Sequence, residues 1–382
     1  MMRILMLDNE FPPLGGGMGT VNQALLNCYA RTPKLEIDLI TSALGKHKEV
    51  EQFAANIRII KLPVWNRNIH HSTIRELVLY AAQAVPQAVK LHRERAYDFC
   101  LAWSAVPAGA VARTLHRLVS LPYMVWVSGP DIPGFERRYH YIYPLLCPII
   151  RSVWGNATHV VAKCAGEIEM IKSVDNRVDV SFIPNGVDLS LFVPGPEIPD
   201  IGPLHVLCVA RLIERKGQNH LIEAVKQLSD SGVDVILSLI GDGDSKVDYE
   251  KQAHRLGILD RVRFVGYVPR EEIASYYNAG HVFALPSFNE GMALAVLEAM
   301  AAGLPLIVTR TGGTIELVEH GVNGFVFDWA DVESLTKWLC TLDKDRDLAR
   351  RMAAASRARA VNYSWEHIAE RFLDLFQNRN IR

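Results

Sequence analysis

The segment HVFALPSFNEGMALAVLEAMAAG, residues 281–303, decides how the chain folds. HVFALPS is a short apolar run, read as a buried parallel strand. MALAVLEAMAAG is rich in strong helix formers and stops at Gly303, with Pro305 just behind. A strand feeding a helix through a short loop is the unit of a parallel sheet. Two carboxylates, Glu290 and Glu298, stand in this apolar stretch with no Lys or Arg inside it. Burying a carboxylate is costly unless it is hydrogen-bonded, so each is expected to face water or meet a polar ligand.

Glu290 falls in the loop and Glu298 about two turns into the helix, which separates them by roughly 12 Å along the axis. That is about the span from sugar ring to ribose in a nucleotide diphosphate sugar. Free N–H groups at Gly291, Met292, Ala293 and Leu294 would make the helix N-terminus an anion site. The spacing suggests two hydroxyl-reading carboxylates with a diphosphate between them. A helix with one carboxylate at its start and another facing solvent fits the spacing equally.

Working outward, the same alternation fills the chain. RILMLD, EIDLITSA, NIRIIKLPV, YDFCLAW, PYMVWVSG, ATHVVAKC and VDVSFIPNGVD read as strands of a front half, with helical patterns among them. Residues 191–203, LFVPGPEIPDIGP, hold four prolines and read as an exposed linker. Beyond it the alternation restarts with LHVLCVARL, VDVILSLIGDG, RVRFVGYV, HVFALPS, LPLIVTR and NGFVF. The expectation is an α/β chain of two Rossmann-like domains facing across a cleft. The first spans 1–190 and is completed by the amphipathic C-terminal helix 363–377; the second spans 204–362.

Length and composition agree with two folded domains: 382 residues, 49% hydrophobic and 22% charged. A net charge of −1 gives no argument for a nucleic-acid partner. Six scattered cysteines without C-x-x-C spacing fit reduced thiols in a cytosolic protein rather than a zinc site or a disulfide framework. No apolar run reaches the ~18 residues of a spanning helix.

The stretch NEGMALAVLEAMAAGLPLIVTRTGGTIELVEHGVNGFVF (289–327), with Glu, seven residues, Glu, resembles the signature of the retaining glycosyltransferases of family 4, which have the GT-B fold. The likeness runs from Arg3 to about Phe376 and is most specific over 283–327. It implies that Glu290 holds donor-sugar hydroxyls near the reacting carbon and that Glu298 binds the ribose. A departing diphosphate develops negative charge that fixed cations must stabilise. The resemblance assigns this to Arg211 and Lys216 of VARLIERKG (209–217), while Arg215 reads as a solvated basic residue. In FPPLGGGMGTV (11–21) it places Gly16 and Gly17 against the donor phosphate and the acceptor. IPNGVD (183–188) matches a structural signature, and IGDGD (240–244) a loop near the nucleotide. The latter could be misread as a D-x-D metal motif, but the likeness is to a metal-independent class, so neither metal nor cofactor is expected.

The chain departs from the pattern in VWVSGPDIPGF (125–135): Ser128 stands where many members carry a His. Asp131 is the nearest ionisable group for the acceptor, or else a cap for its loop. FERRYHYIYPLLCPIIRSVW (135–154) reads as a core helix broken at Pro144 and Pro148, with an interfacial helix at the inner membrane face as the other reading. The expected activity is transfer of a hexose from a nucleotide diphosphate sugar to a hydroxyl of a glycan or lipid-linked acceptor, in cell-surface polysaccharide or glycolipid synthesis. The rivals are a nucleotide-sugar-binding protein without transfer activity, and a GT-B epimerase.

Overall fold

The computed structural model describes residues 1–66, 72–136 and 140–377. The chain divides into two compact units, Met1–Asn185 with Trp365–Arg382, and Gly186–Ser364.

The first unit is built on an eight-stranded sheet: β1 (Met2–Leu7), β2 (Leu35–Ala43), β3 (Glu49–Ala54), β4 (Ile57–Pro63), β5 (Phe99–Ala102), β6 (Tyr123–Trp126), β7 (His159–Ala162) and β8 (Val180–Phe182). Their order is β3-β4-β2-β1-β5-β6-β7-β8. Ile4 to Leu7 are fully buried at the centre, which explains the unbroken apolar run of β1. β3 is the exception to the parallel pairing, running antiparallel to β4. Its sequence, EVEQFA, is largely exposed, so no apolar pattern announces it. A short charged edge strand of this kind resists pairing with another chain.

Helices α1 (Gly17–Tyr29), α2 (Ile74–Arg95), α3 (Ala110–Val119), α4 (Tyr143–Trp154) and α5 (Ala165–Val174) lie between the strands. Thr73 and Glu76 close the start of α2 with reciprocal side-chain and backbone hydrogen bonds. The C-terminal helix Trp365–Gln377 buries Trp365, Ile368, Ala369, Phe372 and Phe376, an i, i+3, i+4 stripe. It packs in this unit: Phe376 lies 5.7 Å from the Phe99 ring, and the Tyr29 hydroxyl donates to the Ala369 carbonyl at 3.1 Å.

The expectation for 135–154, part of which (137–139) lies outside the described residues, needs correction. α4 runs unbroken through Pro148, with Pro144 in its first turn, where the missing N–H has no helical partner anyway. The core reading holds for one face alone. Tyr143, Ile150, Val153 and Trp154 are buried, whereas Tyr141, Leu145 and Ile149, four residues apart, are exposed.

The second unit has six parallel strands: β9 (Leu204–Val209), β10 (Val235–Ile240), β11 (Val262–Gly266), β12 (Val282–Leu285), β13 (Leu306–Thr309) and β14 (Gly324–Phe327), in the order β11-β10-β9-β12-β13-β14. The helices are α6 (Gln218–Asp230), α7 (Lys246–Arg255), α8 (Arg270–Asn278), α9 (Leu294–Ala301), α10 (Thr314–Leu317), α11 (Val332–Lys344) and α12 (Arg346–Ala360). The order reverses between β9 and β12, because β9–α6–β10 steps one way along the sheet and β12–α9–β13 the other. Right-handed crossovers then put α6 and α9 on opposite faces. The carboxyl ends of β9 and β12 thus form the topological switch point, the place where open α/β sheets bind their ligands.

Residues 191–203 are not a free linker: they belong to the second unit, and the division falls at Asn185–Gly186. Phe192 is fully buried, its ring 5.4 Å from that of Tyr277. Arg357 donates to the Phe192 carbonyl at 2.8 Å, and Arg350 to the Ile198 carbonyl at 2.8 Å. The prolines stiffen a strap bound to its own unit.

At the foot of this sheet the rings of His205 and His281 stack at 4.8 Å. The His205 N–H donates to His281 Nδ1 at 3.2 Å. Burial, with His205 and Arg346 adding to it, brings His281 down to about 4. The unfolded chain, with an ordinary histidine near 6.5, takes up a proton that the fold refuses. Stability should therefore fall as pH drops from about 6.5 towards 4. Calorimetric melts of His281→Asn across that window should show a flatter decline than wild type; parallel curves would refute the assignment.

Candidate active site

The sequence places the candidate residues on the loops after β9 and β12, and the structure brings two of them into contact. Glu290 lies 8% exposed in the loop between β12 and α9. Lys216, at the end of the turn after β9, forms an ion pair and hydrogen bond with its Oε1. Burial pushes the Glu290 carboxyl up, but Lys216, Arg215 and the Ser287 hydroxyl more than offset this, and its pKa lies below the ordinary glutamate value. Arg211 sits exposed on the same β9–α6 loop.

Glu298 is also 8% exposed. Its partners come from α8: Arg270 donates to Oε1 at 3.0 Å and the Tyr277 hydroxyl to Oε2 at 2.8 Å. Neither carboxylate is left facing water. Both are neutralised within the chain by groups remote in sequence, an arrangement the two-way expectation did not include. The helix begins at Leu294 with Ala293 at its N-cap, so Gly291, Met292 and Ala293 form the loop leading into it. Glu298 then lies one turn in, not two.

The Glu290 loop is held by backbone on both sides. Gly217 has a positive φ of 70°, and a Cβ there would fall 2.1 Å from the Pro286 carbonyl oxygen. At Gly313, in the loop after β13, a Cβ would fall 1.7 Å from the Gly291 carbonyl oxygen. Arg215 adds a tie that sequence reading missed. Its guanidinium donates to the Asn289 carbonyl at 2.7 Å, and its own carbonyl accepts from the Phe288 N–H at 2.8 Å. It is therefore not a solvated residue. Behind the loop, Thr309 donates to the Ser287 carbonyl at 2.6 Å and Thr314 to the Thr309 carbonyl at 2.7 Å.

The remaining candidates lie on the first unit. Gly16 caps α1; a Cβ there would meet nothing within 4 Å. Its N–H donates to Glu10 at 3.3 Å. Gly17 opens the helix. Ser128 and Asp131 are joined: the Ser128 N–H and hydroxyl both donate to Asp131 Oδ1 at 2.8 Å, and the Ala105 N–H donates to Oδ2 at 2.5 Å. Asp131 thus caps its loop and ties it to the segment after β5. In the 240–244 loop, the Asp242 carboxylate accepts the Gly243 N–H at 2.9 Å, and the Asp242 carbonyl accepts that of Leu212 at 3.0 Å.

Of the residues missed, Arg270 and Tyr277 stand seven apart on one helix, hence on one face. That pattern was available in VPREEIASYYN (268–278). Nothing local marks Ser287, Thr309 and Thr314, which meet through the sheet.

Residues 198–359 match the family model of glycosyl transferases group 1. The GDP-mannose-dependent alpha-(1-6)-phosphatidylinositol monomannoside mannosyltransferase of Mycolicibacterium smegmatis is 24% identical, with 98% of each chain covered. Among solved structures, the sucrose-phosphate synthase of Thermosynechococcus elongatus superposes with a TM-score of 0.85 at 22% identity, covering 99% of this chain and 98% of that one. Anabaena Alr3699/HepE, in complex with UDP-glucose, gives 0.76 at 23% identity over 99% and 100%. Residues 198–359 thus carry the glycosyl transferases group 1 domain, and the chain has the GT-B fold, as the resemblance in its sequence implied.

The backbone grip on the Glu290 loop can be tested without substrate. Gly313→Ala must move the loop or the neighbouring backbone, and is expected to destabilise the second unit by about 2 kcal/mol, typical of overpacking. Gly16→Ala, which meets open space, should change stability little. Equal melting temperatures for the two variants would show that the grip is loose.

Proposed function

We propose that this glycosyltransferase moves a hexose, with retention, from a nucleotide diphosphate sugar to a hydroxyl of a glycan or lipid-linked acceptor. One observation carries the reading: a buried carboxylate paired with a lysine, Glu290 with Lys216, at the switch point where the strand order reverses. The mannosyltransferase relative favours GDP-mannose as donor. In this reading Glu290 meets donor-sugar hydroxyls and Glu298 the ribose, while Arg211 and Lys216 receive the diphosphate, with the loop N–H groups of Gly291 to Leu294 beside it. Gly16 and Gly17 help to bind the donor phosphate, and Ser128 and Asp131 serve the acceptor side. The bond from the anomeric carbon to the phosphate oxygen breaks as the acceptor oxygen attacks from the same face. The acceptor proton passes to the departing phosphate oxygen. Cations fixed in place stabilise the developing charge without reorganising, which removes the need for a divalent metal or a protein nucleophile.

Transfer from GDP-mannose and UDP-glucose to lipid-linked and free glycan acceptors should be measured with and without EDTA. Activity should survive EDTA, and Arg211→Ala or Lys216→Ala should lower kcat by about a hundredfold or more. Glu290→Gln should lower kcat far more than donor affinity, and Glu298→Gln should chiefly weaken donor binding. Loss of activity in EDTA, restored by manganese or magnesium, would overturn the metal-independent reading. Inversion at the anomeric carbon would overturn retention.

The proposed setting is the cytoplasm, which suits six free cysteines, with a peripheral contact at the membrane where a lipid-linked acceptor resides. Among the described residues no helix is long and apolar enough to cross a membrane. The outward stripe of Tyr141, Leu145 and Ile149 on and before α4 fits shallow burial at a lipid surface. Leu145→Glu with Ile149→Glu should abolish co-sedimentation with anionic vesicles. Unchanged sedimentation, or none in wild type, would remove the membrane from the proposal.

A further inference from the structure

A second surface adjoins the Lys216–Glu290 pair and is used by none of the roles above. Three rings from three separate elements meet there. Phe288, two residues before Glu290, is 40% exposed, and Trp329, in the turn between β14 and α11, is 36% exposed. Their centroids lie 5.3 Å apart, nearly perpendicular. His220, in the first turn of α6, stands edge-on to Trp329 at 4.8 Å. Burial lowers the His220 pKa, so the imidazole is a neutral ring near pH 7.

The patch is built to stay in place. Trp329 sits in a tight turn, with Asp331 N–H bonded to the Asp328 carbonyl at 3.1 Å. The turn includes Ala330 at a φ of 64°, in the left-handed region. Asp331 then caps α11 through the Ser334 N–H at 2.9 Å. Phe288 is fixed by its N–H to the Arg215 carbonyl. The Trp329 ring also reaches the site loop: a Cβ on Gly217 would fall 2.8 Å from its Cζ3. Two large aromatic side chains held in rigid turns present a joint apolar face to solvent beside a polar site.

Position argues for the occupant. The rings lie on the α6 side of the switch point, since α11 packs on α6. Glu298, with Arg270 and Tyr277, lies on the α9 side, beyond Glu290. A donor reaching from Glu298 to Glu290 ends where the aromatic surface begins. Polar groups edge the surface: Arg310 pairs with Asp328, the residue before Trp329, at 3.4 Å, and both are exposed. An aromatic face rimmed by hydrogen-bonding groups matches a pyranose ring, whose C–H face is apolar and whose edge is all hydroxyl.

We propose that Trp329 and Phe288, backed by His220, form a stacking subsite for a pyranose ring of an oligosaccharide acceptor, outside the donor site. This rests on the glycosyl-transfer reading above and deepens it: the acceptor is an oligosaccharide, bound through a ring other than the one that reacts.

The test uses the full chain. Binding of α-(1-6)-linked mannotetraose, maltotetraose and mannose would be followed by saturation-transfer NMR, and binding of GDP-mannose and UDP-glucose by calorimetry. A tetrasaccharide should bind more tightly than mannose. Trp329→Ala should weaken tetrasaccharide binding about fivefold or more, the scale of one lost stacking contact. Trp329→Phe, which keeps a ring, should retain most of it, and nucleotide-sugar affinity should stay within twofold in both variants. Equal tetrasaccharide binding in Trp329→Ala, or binding of neither tetrasaccharide by wild type, would overturn the subsite. So would a Trp329-dependent dimer in sedimentation, which would make the patch a contact between copies. Failure of wild type to bind any nucleotide sugar would instead defeat the donor reading, so the two failures are distinguishable.

Discussion

The segment carrying Glu290 is confined by main chain rather than by side chains. Gly217 presses on its beginning at Pro286, and Gly313 on its continuation at Gly291. Both contacts are closer than any Cβ could allow, so three loops from three strands stack backbone on backbone. Everything else at the site follows from that confinement. Lys216 reaches Glu290 because Gly217 turns the chain directly after it. Arg215 reaches the Asn289 carbonyl from the same short turn. The threonines behind the loop complete a support in which Thr309 holds the Ser287 carbonyl and Thr314 holds the Thr309 carbonyl.

This confinement explains why a carboxylate can sit ionised where water hardly reaches. A buried ion pair gains little on its own, since desolvation opposes attraction. Its geometry has to be set by something else, and here the backbone sets it. Glu298 is treated differently. Its partners are side chains of one helix, Arg270 and Tyr277, so its environment depends on how α8 packs against α9. Phe192 joins that arrangement from the strap, lying against Tyr277 and under the Arg270 guanidinium at 5.6 Å. A segment that reads as a spacer thus helps to support a residue of the site.

Much of this was legible in the sequence because its elements are strongly patterned. The fully buried strands show as apolar runs, and the strand–loop–helix unit at 281–303 identifies the sheet type. Glu290, Glu298, Arg211 and Lys216 stand out by resemblance. What escaped has physical reasons. β3 is an exposed edge and carries no apolar signal. The prolines of 191–203 look the same whether they stiffen a free linker or a bound strap; burial of Phe192 and Ile198 decides. The neutralising partners of Glu290 and Glu298 lie 74 and 28 residues away, and no local window reaches them. Arg215 resembles any surface arginine until the Asn289 carbonyl appears beside it. At α4 the proline pair suggested a break, but one proline occupies the first turn and the other lies on the outer face.

The internal pairing of Lys216 with Glu290 also makes these two charges electrically self-contained. Under the donor roles proposed above, an arriving phosphate does not find Lys216 as a bare cation. It has to exchange places with a counter-ion that the protein already supplies, and the displaced carboxylate must find another partner. A sugar hydroxyl could be that partner, since it can donate to the released oxygen. Anion and sugar are then coupled: each makes room for the other, and either alone leaves a buried charge poorly satisfied. Under those donor roles, the pair would work as a coincidence detector, favouring a molecule that brings a phosphate and a hydroxyl together over one that brings only half of the exchange.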